Sequence, residues 1–424
     1  MINALLTNAR LIDPEAGEER LGWLRIEEGR IAELGEGPRH GGRDCQGHCL
    51  APGIVDVGVK IGEPGERHKE SFRTAGLAAA AGGVTTMITR PDTTTPIDTP
   101  EILEFVQRRG KEQCAVRIRP MAALTKGRGG QEMSEIGFLM DAGAVAFSDG
   151  DQVIQDNRIA LRCMSYAQGL GALVLGHIQD PTLSQGAAAT SGSFAALRGL
   201  PGVSPMAERL GLERDLTLVE MTGLRYHADQ ITCAKTLPAL KRAKETGLDV
   251  TAGVSIHHLT LSEEDIGDFR TFFKLKPPLR AETDRLAMLA ALADGTIDII
   301  CSMHTPQDEE EKRRPFAEAA SGAVGLETLL PAGLGLVRAG ALSLPKLFAA
   351  MSLKPAQRFS VEGGRLSPGH PADLVLFDPD AAFLLDRFAL QSKSKNTPFD
   401  QAEMQGQVIA TFVGGKSVYE RANA

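Results

Sequence analysis

Residues Ala51–Gly65 read "APGIVDVGVKIGEPG". An apolar pair, Ile54-Val55, runs into Asp56, continues through alternating small and apolar residues, and stops at a Gly/Pro turn, the pattern of a strand that ends where polar chemistry begins. Further apolar runs follow: "GVTTMITR" (83–90), "CAVRIRPMAA" (114–123), "AVAFSD" (144–149), "ALVLGHI" (172–178), "DQITCAK" (229–235), "GLDVTAGVS" (247–255) and "IDIICSMHT" (297–305). Between them lie amphipathic helical stretches such as "TPEILEFVQRRGKE" and "LPALKRAKETG". Strand and helix alternating about every 25–45 residues means an α/β fold with a parallel sheet. Seven or eight such units suit a closed (β/α)8 barrel better than an open sheet, and in such a barrel the chemistry sits at the C-terminal strand ends.

Both ends of the chain have another texture. "ALLTNARLID", "GWLRIEEGRIAELG" and "RDCQGHCLAPG" at the start, and "ADLVLFDPDAAFLL" and "QGQVIATFVGGKSVYE" near the finish, alternate apolar and polar residues between turn signals. The expectation is a barrel domain over 51–354 and a small composite β-sandwich built from 1–50 and 355–424.

The bulk numbers set bounds. With 424 residues, 42% hydrophobic and 24% charged, the chain has enough apolar material for one large and one smaller packed unit. A formal charge of −8 argues against a protein that coats nucleic-acid phosphates. No run of 18 or more apolar residues would span a membrane, and the start lacks the basic and apolar regions of a signal peptide. Six cysteines are scattered without a disulfide framework, which fits a reducing cytoplasm. Cys45 and Cys49 could open a zinc site, but no second pair follows, and two ordinary thiols is the simpler reading.

The strand ends carry, in order, Asp56, Gly58 and Lys60; Arg90 and Asp92; Asp149 and Asp151; His177 and Asp180; Cys233 and Lys235; His257 and His258; Met303 and His304. A hydrolytic zinc site needs three protein ligands and an open position for water. His177 and one aspartate qualify, although a hydrogen-bonded histidine is the plainer reading of His177. A lysine ammonium at position 60 would repel a dication unless its pKa fell or it were carboxylated. Lys60 and Lys235 are therefore expected to stand in for metal charge by neutralising Asp149 or Asp56, so that losing Lys60 would destabilise the fold. His227 and Cys233 form either a relocated metal site or a local polar contact. His257-His258 reads as packing and capping, and "QDEEEKRRPF" as an interface or a solvated loop.

These residues resemble a known family. The run from Ala51, "APGIVDVGVKIGEPGERHKESFRTAGLAAAAGGVTTMITRPDTTTPIDTPE", is similar to the first barrel motif of the dihydroorotases, in the amidohydrolase group with allantoinases and hydantoinases. The similarity continues through "AVAFSDG", "GHIQDPTLS", "VSIHHLTL", "KLKPPLRAETDR", "HTPQDEEEKRRPFAEAASGAVGLETLLP", "GHPADLVLFDPD" and "SKSKNTPFDQAEMQGQVIATFVGGKSVYE". The resemblance implies a barrel of the amidohydrolase kind with a composite β-sandwich. It also exposes departures. The family's two metal-binding histidines on the first strand fall on Gly58 and Lys60, and its substrate-carboxylate arginine on Gly62. The asparagine of its P-N-T turn falls on Asp92, the opening histidine of H-x-S-T on Cys233, and the serine on Lys235. The asparagine of N-P-P-L-R falls on Lys276, and the catalytic aspartate on Met303, followed by His304. Asp149 and His177 remain as ligands in kind.

Ring opening of a cyclic amide needs an activated water and a base to take its proton, and a thioether accepts none. The resemblance thus implies a dihydroorotase-like pseudoenzyme of pyrimidine biosynthesis with no catalytic residue and no bound metal. It is expected to be a cytoplasmic homo- and hetero-oligomer supporting the aspartate carbamoyltransferase catalytic subunit. Two alternatives stand beside it: a divergent cyclic-amide hydrolase with a reduced zinc site of His177, Asp149 and carboxylated Lys60, and a sensor that binds a pyrimidine or nucleotide without turnover.

Overall fold

In the computed structural model, which describes residues 3–422, Ile54–Val59 is the first strand of a parallel barrel. It pairs in parallel with Val84–Thr89, and that strand with Arg117–Pro120. A second parallel set runs Leu173–Gly176, Arg225–Ala228, Val250–Ser255 and Ile299–Cys301. The two sets meet at Phe147, whose backbone bridges Ala122 on one side and Val174 on the other. The expected strand 144–149 is therefore an extended segment with this one bridged residue. On the far side the barrel closes through Lys60 N–H donating to the His304 carbonyl at 2.9 Å. The Asp56 carboxylate completes that seam by accepting the Ser302 N–H at 2.8 Å and the Ser302 hydroxyl.

Branched residues dominate the strands because their stiff side chains pack well on a pleated surface. Inward-facing Val55, Val57, Ile88, Leu173, Leu175 and Ile299 fill the barrel interior, and Phe359 belongs to the same cluster. Burying each such side chain contributes about 1.5–3 kcal/mol. The helices begin where the sequence supplies caps. Phe72–Ala81 starts at a Ser71 capping box, and Pro100–Gln113 has proline in its first turn, where a missing N–H costs nothing. Leu237–Glu245 turns Ala239, Leu240 and Ala243 toward the core.

The two ends of the chain share one eight-stranded mixed sheet. Its order is Lys416–Glu420, Glu403–Val413, Leu374–Leu384, Cys49–Pro52, Ala4–Asp13, Glu18–Glu27 and Arg30–Glu36, with the short Arg43–Asp44 beside Ala4–Asp13. Leu6, Leu11, Leu24, Ile26, Leu374 and Leu376 form a separate buried cluster there. Between Leu374–Leu384 and Glu403–Val413 the chain leaves the sheet and lies across the barrel mouth. There Ser394 Oγ donates to the Lys69 carbonyl at 2.7 Å, and Asn396 Nδ2 to the carbonyls of Thr305 and Gly322 at 3.2 and 3.0 Å. Among the described residues no helix is long and apolar enough to cross a membrane.

One strand expectation is corrected. The run 229–235 is not a strand; the strand is Arg225–Ala228, and residues 229–236 turn away through a short 3-10 segment at Ala234–Thr236. "DQITCAK" is apolar because it is buried beside a helix, and burial alone does not distinguish a strand from a packed loop.

Candidate functional site at the barrel mouth

The C-terminal strand ends open onto a pocket of about 760 Å³. Lys60, Arg90 and Asp92 line it from one side, Asp151, His177 and Lys276 from another, and Asp229, Gln230 and Gln307 complete the wall.

Gly58 and Met303 face one another at the floor. Gly58 has φ +79°, a left-handed conformation that glycine adopts without strain. A Cβ there would sit 2.8 Å from the Met303 sulfur, so the thioether fills the volume a larger side chain at 58 would need. Met303 itself has φ +46°, which is uncommon for a residue with a Cβ. At Gly62 a Cβ would overlap the Glu66 carbonyl and lie 2.8 Å from that of Glu70. The loop 62–70 is wound too tightly to carry a side chain at that point.

Every cation of the pocket is paired. Arg90 grips Asp92 with two hydrogen bonds of 3.0 Å. Lys60 Nζ stands 3.7 Å from Asp92 and 3.7 Å from Glu66. Lys276 donates to Asp151 at 2.9 Å and Arg128 to the same carboxylate at 2.6 Å. Although burial alone would raise the Asp92 and Asp151 pKa values, the surrounding cations, led by Arg90, hold both below the usual carboxylate range.

The expected partners of Lys60 are thus corrected. Asp149 is satisfied without it: its oxygens accept the N–H groups of Leu124 and Thr125 at 3.0 Å each and the Thr125 hydroxyl at 2.5 Å. Asp56 serves the seam, and its burial pushes its pKa up to about 6. Lys235 is exposed and takes no part. Both carboxylates are reached first by backbone donors from their own neighbourhood, which leaves Lys60 to the nearer Asp92 and Glu66.

Cys233 is also relocated. It is buried, its thiol lies 3.6 Å from the Pro205 carbonyl, and burial raises its pKa beyond the physiological range. The residues that follow strand Arg225–Ala228 into the mouth are Asp229 and Gln230, three to four positions earlier. The misplaced strand carried the misplaced candidate with it. His227 is no neighbour of Cys233 in function: it hydrogen-bonds Thr251 at 2.8 Å and meets Phe359 edge-on inside the barrel.

His304 lies below the pocket with its ring 3.5 Å from Glu70, and its Nδ1 accepts the Gly325 N–H at 3.2 Å. His257 stacks on Phe399, and His258 reaches the Pro278 carbonyl at 3.3 Å. In the "QDEEEKRRPF" stretch, Lys312 turns inward to the carbonyls of Thr271 and Ala320, at 3.0 and 2.7 Å.

Four groups are left over. His177, Asp229, Gln230 and Gln307 are each at most 8% exposed, and the side chains of His177 and Asp229 carry no hydrogen bond among the described residues. The Oε1 atoms of Gln230 and Gln307 are buried without a partner. Burial holds His177 neutral, with its pKa lowered to about 3, and raises the pKa of Asp229. None of the four was singled out by sequence reasoning except His177. The signal for Asp229 and Gln230 was their place directly after a strand, visible once that strand is set correctly.

A hydrolytic zinc centre at this mouth would draw on Asp149, position 58, Lys60 and position 303. Asp149 has no free oxygen, position 58 has no side chain, the ammonium of Lys60 is held between two carboxylates, and Met303 offers no basic site. Among the described residues no three His, Cys, Asp or Glu side chains cluster closely enough to hold a metal ion.

Comparison with known proteins gives a consistent picture. The dihydro-orotase-like family profile matches residues 47–236. A dihydroorotase of Anaplasma phagocytophilum is 38% identical over 422 residues, covering 97% of this chain and 94% of its own. A dihydroorotase-like protein of Pseudomonas putida is 38% identical over 414 residues, covering 97% of each. One of Pseudomonas aeruginosa is 37% identical over 419 residues, covering 98% of this chain and 99% of its own. Among solved structures, the L-hydantoinase of Arthrobacter aurescens superimposes with a TM-score of 0.90 at 24% identity, covering 99% of this chain and 96% of that one. That last likeness speaks for the fold alone.

Proposed function

This chain belongs to the dihydroorotase family of the amidohydrolase superfamily, and we propose that within it the chain is a non-catalytic, cytoplasmic subunit. In this reading it supports aspartate carbamoyltransferase in a hetero-oligomer of pyrimidine biosynthesis, and its barrel is kept as a scaffold. Near-equal identity to relatives named dihydroorotase and dihydroorotase-like leaves the activity to be argued from the site.

The observation that carries the proposal is the closed floor of the mouth. Where a metal-activated water would have to form and lose its proton, Met303 packs against Gly58, and the neighbouring cations neutralise carboxylates instead of a substrate. Gly62 leaves no side chain to form the bidentate pair that a substrate carboxylate prefers, and the loop around it has no room for one. Asp92 adds a negative charge to that side of the pocket. Gly62, Asp92, Lys276 and His304 are accordingly vestigial substrate positions in this proposal. The partner rests on the sequence resemblance, because docking surfaces leave little trace in a site.

The test is elemental analysis of protein purified without added metal or chelator, run beside assays of dihydroorotate ring opening and closure. The expected result is zinc far below one per chain and no turnover. About one zinc per chain with turnover would overturn the proposal. Size-exclusion chromatography with the organism's aspartate carbamoyltransferase tests the partner, with co-elution expected.

A further inference from the structure

The helix Met206–Thr222 has two faces. Ala207, Gly211, Leu212, Asp215, Leu218 and Val219 turn inward and are buried. At about 100° per residue, Met206, Leu210, Thr217 and Met221 fall within about 60° of one another on the outward side. Met206, Leu210 and Met221 are 39, 48 and 63% exposed. The Thr217 hydroxyl donates to the Glu213 carbonyl of its own helix at 2.8 Å, so it offers the surface no unmet donor. Leu183, on the short helix Pro181–Ser184 that packs against this one, is 50% exposed as well. A surface helix ordinarily keeps its outward side polar, and apolar side chains aligned there mark an interaction surface.

The stripe matches itself when reversed. Its four residues are spaced four, seven and four positions apart, symmetric about the peptide between Glu213 and Arg214. A second copy laid antiparallel across a two-fold axis at that point brings Met206 opposite Met221 and Leu210 opposite Thr217, each contact occurring twice. A partner of another sequence would give no reason for the stripe to repeat in reverse.

The charges agree with the same arrangement. Arg209, Glu213 and Glu220 all fall within about 60° to one side of Met206. A two-fold axis perpendicular to both helices keeps that flank on its own side. Arg209 of one copy then comes within two residues, or about 3 Å along the axis, of Glu220 of the other. Within one chain Glu220 is exposed and enters no ion pair among the described residues, while Arg209 holds Glu213 at 3.0 Å. In the pair, Arg209 stands between its own Glu213 and the second copy's Glu220, and it offsets the two Glu213 carboxylates that meet near the axis.

We propose that this face is a two-fold interface with a second copy of the chain. The interface goes beyond the non-catalytic reading and does not depend on it: zinc with turnover would overturn that reading and leave the interface standing.

The test is sedimentation equilibrium of the full chain and its variants at loadings up to about 100 μM, since a contact built on one helix pair lies at the small end of interfaces. The wild-type chain is expected to show twice its 45.2 kDa. Leu210→Lys, at an exposed position, should abolish association and leave the thermal midpoint unchanged. Arg209→Glu and Glu220→Arg should each weaken association by about tenfold, because the two-fold axis repeats each like-charge contact. Joined in one chain, they restore opposite charges across the axis and should bring the constant back to within about threefold of wild type. These charge variants leave the apolar stripe intact and decide the matter by themselves should Leu210→Lys fold poorly. A monomeric wild type, undiminished association of a folded Leu210→Lys chain, or a double variant no better than the singles would each overturn the interface. If the wild type forms a larger assembly, Leu210→Lys must halve its mass, and an unchanged mass would overturn the proposal.

Discussion

Two polar clusters flank the strand Arg225–Ala228, and they have opposite character. On one side, Glu208 and Arg280 are buried at 0 and 2% exposure. Glu208 accepts the N–H groups of Thr232 and Cys233 at 2.8 and 3.0 Å and the Arg280 guanidinium at 3.0 Å. Arg280 also donates to the hydroxyls of Thr232 and Thr190, at 2.9 and 3.2 Å. The pair ties the helix Met206–Thr222 to the loop after the strand and to the start of the next helix. On the other side, Asp229 and Gln230 line the mouth, and Gln230 Oε1 is buried without a hydrogen-bond partner among the described residues. A satisfied cluster explains itself as architecture, because a buried ion pair is tolerable only when its remaining donors and acceptors are filled. The cluster at the mouth is left incomplete, as are other buried side-chain atoms such as Gln179 Oε1 and His257 Nε2, so it contributes less to holding the strand end in place.

That comparison can be broken from its strong end first. Arg280→Met leaves Glu208 charged and buried, and should cost about 3–5 kcal/mol, read as a large drop in urea midpoint. A loss below about 1 kcal/mol would mean that the Glu208 cluster is no better completed than the mouth. Next comes the floor. Gly58→His should destabilise by about 1–3 kcal/mol, from overpacking against Met303 and from the left-handed backbone. Met303→Ala in the same chain should return part of that loss, so a double-mutant cycle over the two positions should show coupling of at least about 0.5 kcal/mol. Additive costs would mean that the thioether does not occupy the volume assigned to it. The smallest effect belongs to Lys60→Met. Its ammonium stands 3.7 Å from its carboxylates and is partly open to solvent, so thermal denaturation should move by the equivalent of about 1 kcal/mol or less. A collapse of stability would restore Lys60 as the replacement for metal charge.

Much of this was legible from the chain alone. The alternation of apolar runs and helical stretches carries the barrel, because strand and helix periods differ and each leaves its mark over several residues. The textures of the two ends carry their shared sheet. Gly58, Lys60, Gly62 and Met303 are visible as departures by position within a motif, which needs no coordinates. Reading failed at "DQITCAK", where a buried loop has the composition of a strand. That displaced the site candidate from Gln230 to Cys233. It also failed for Lys60, since a sequence names charges without saying which carboxylate is nearest or which one the backbone has already satisfied.

By itself, then, the sequence determined the barrel, the mixed terminal sheet and the residue types at the first and last strand ends, all of which follow from local patterns. Only the tertiary structure decided that Asp56 and Asp149 are spent on nearby donors, that Met303 closes the space beside Gly58, and that Asp229 and Gln230, not Cys233, follow their strand into the mouth. Those outcomes depend on distances between segments tens to hundreds of residues apart, and side-chain pairing at a few ångströms is set by packing and desolvation, which no single stretch of chain contains.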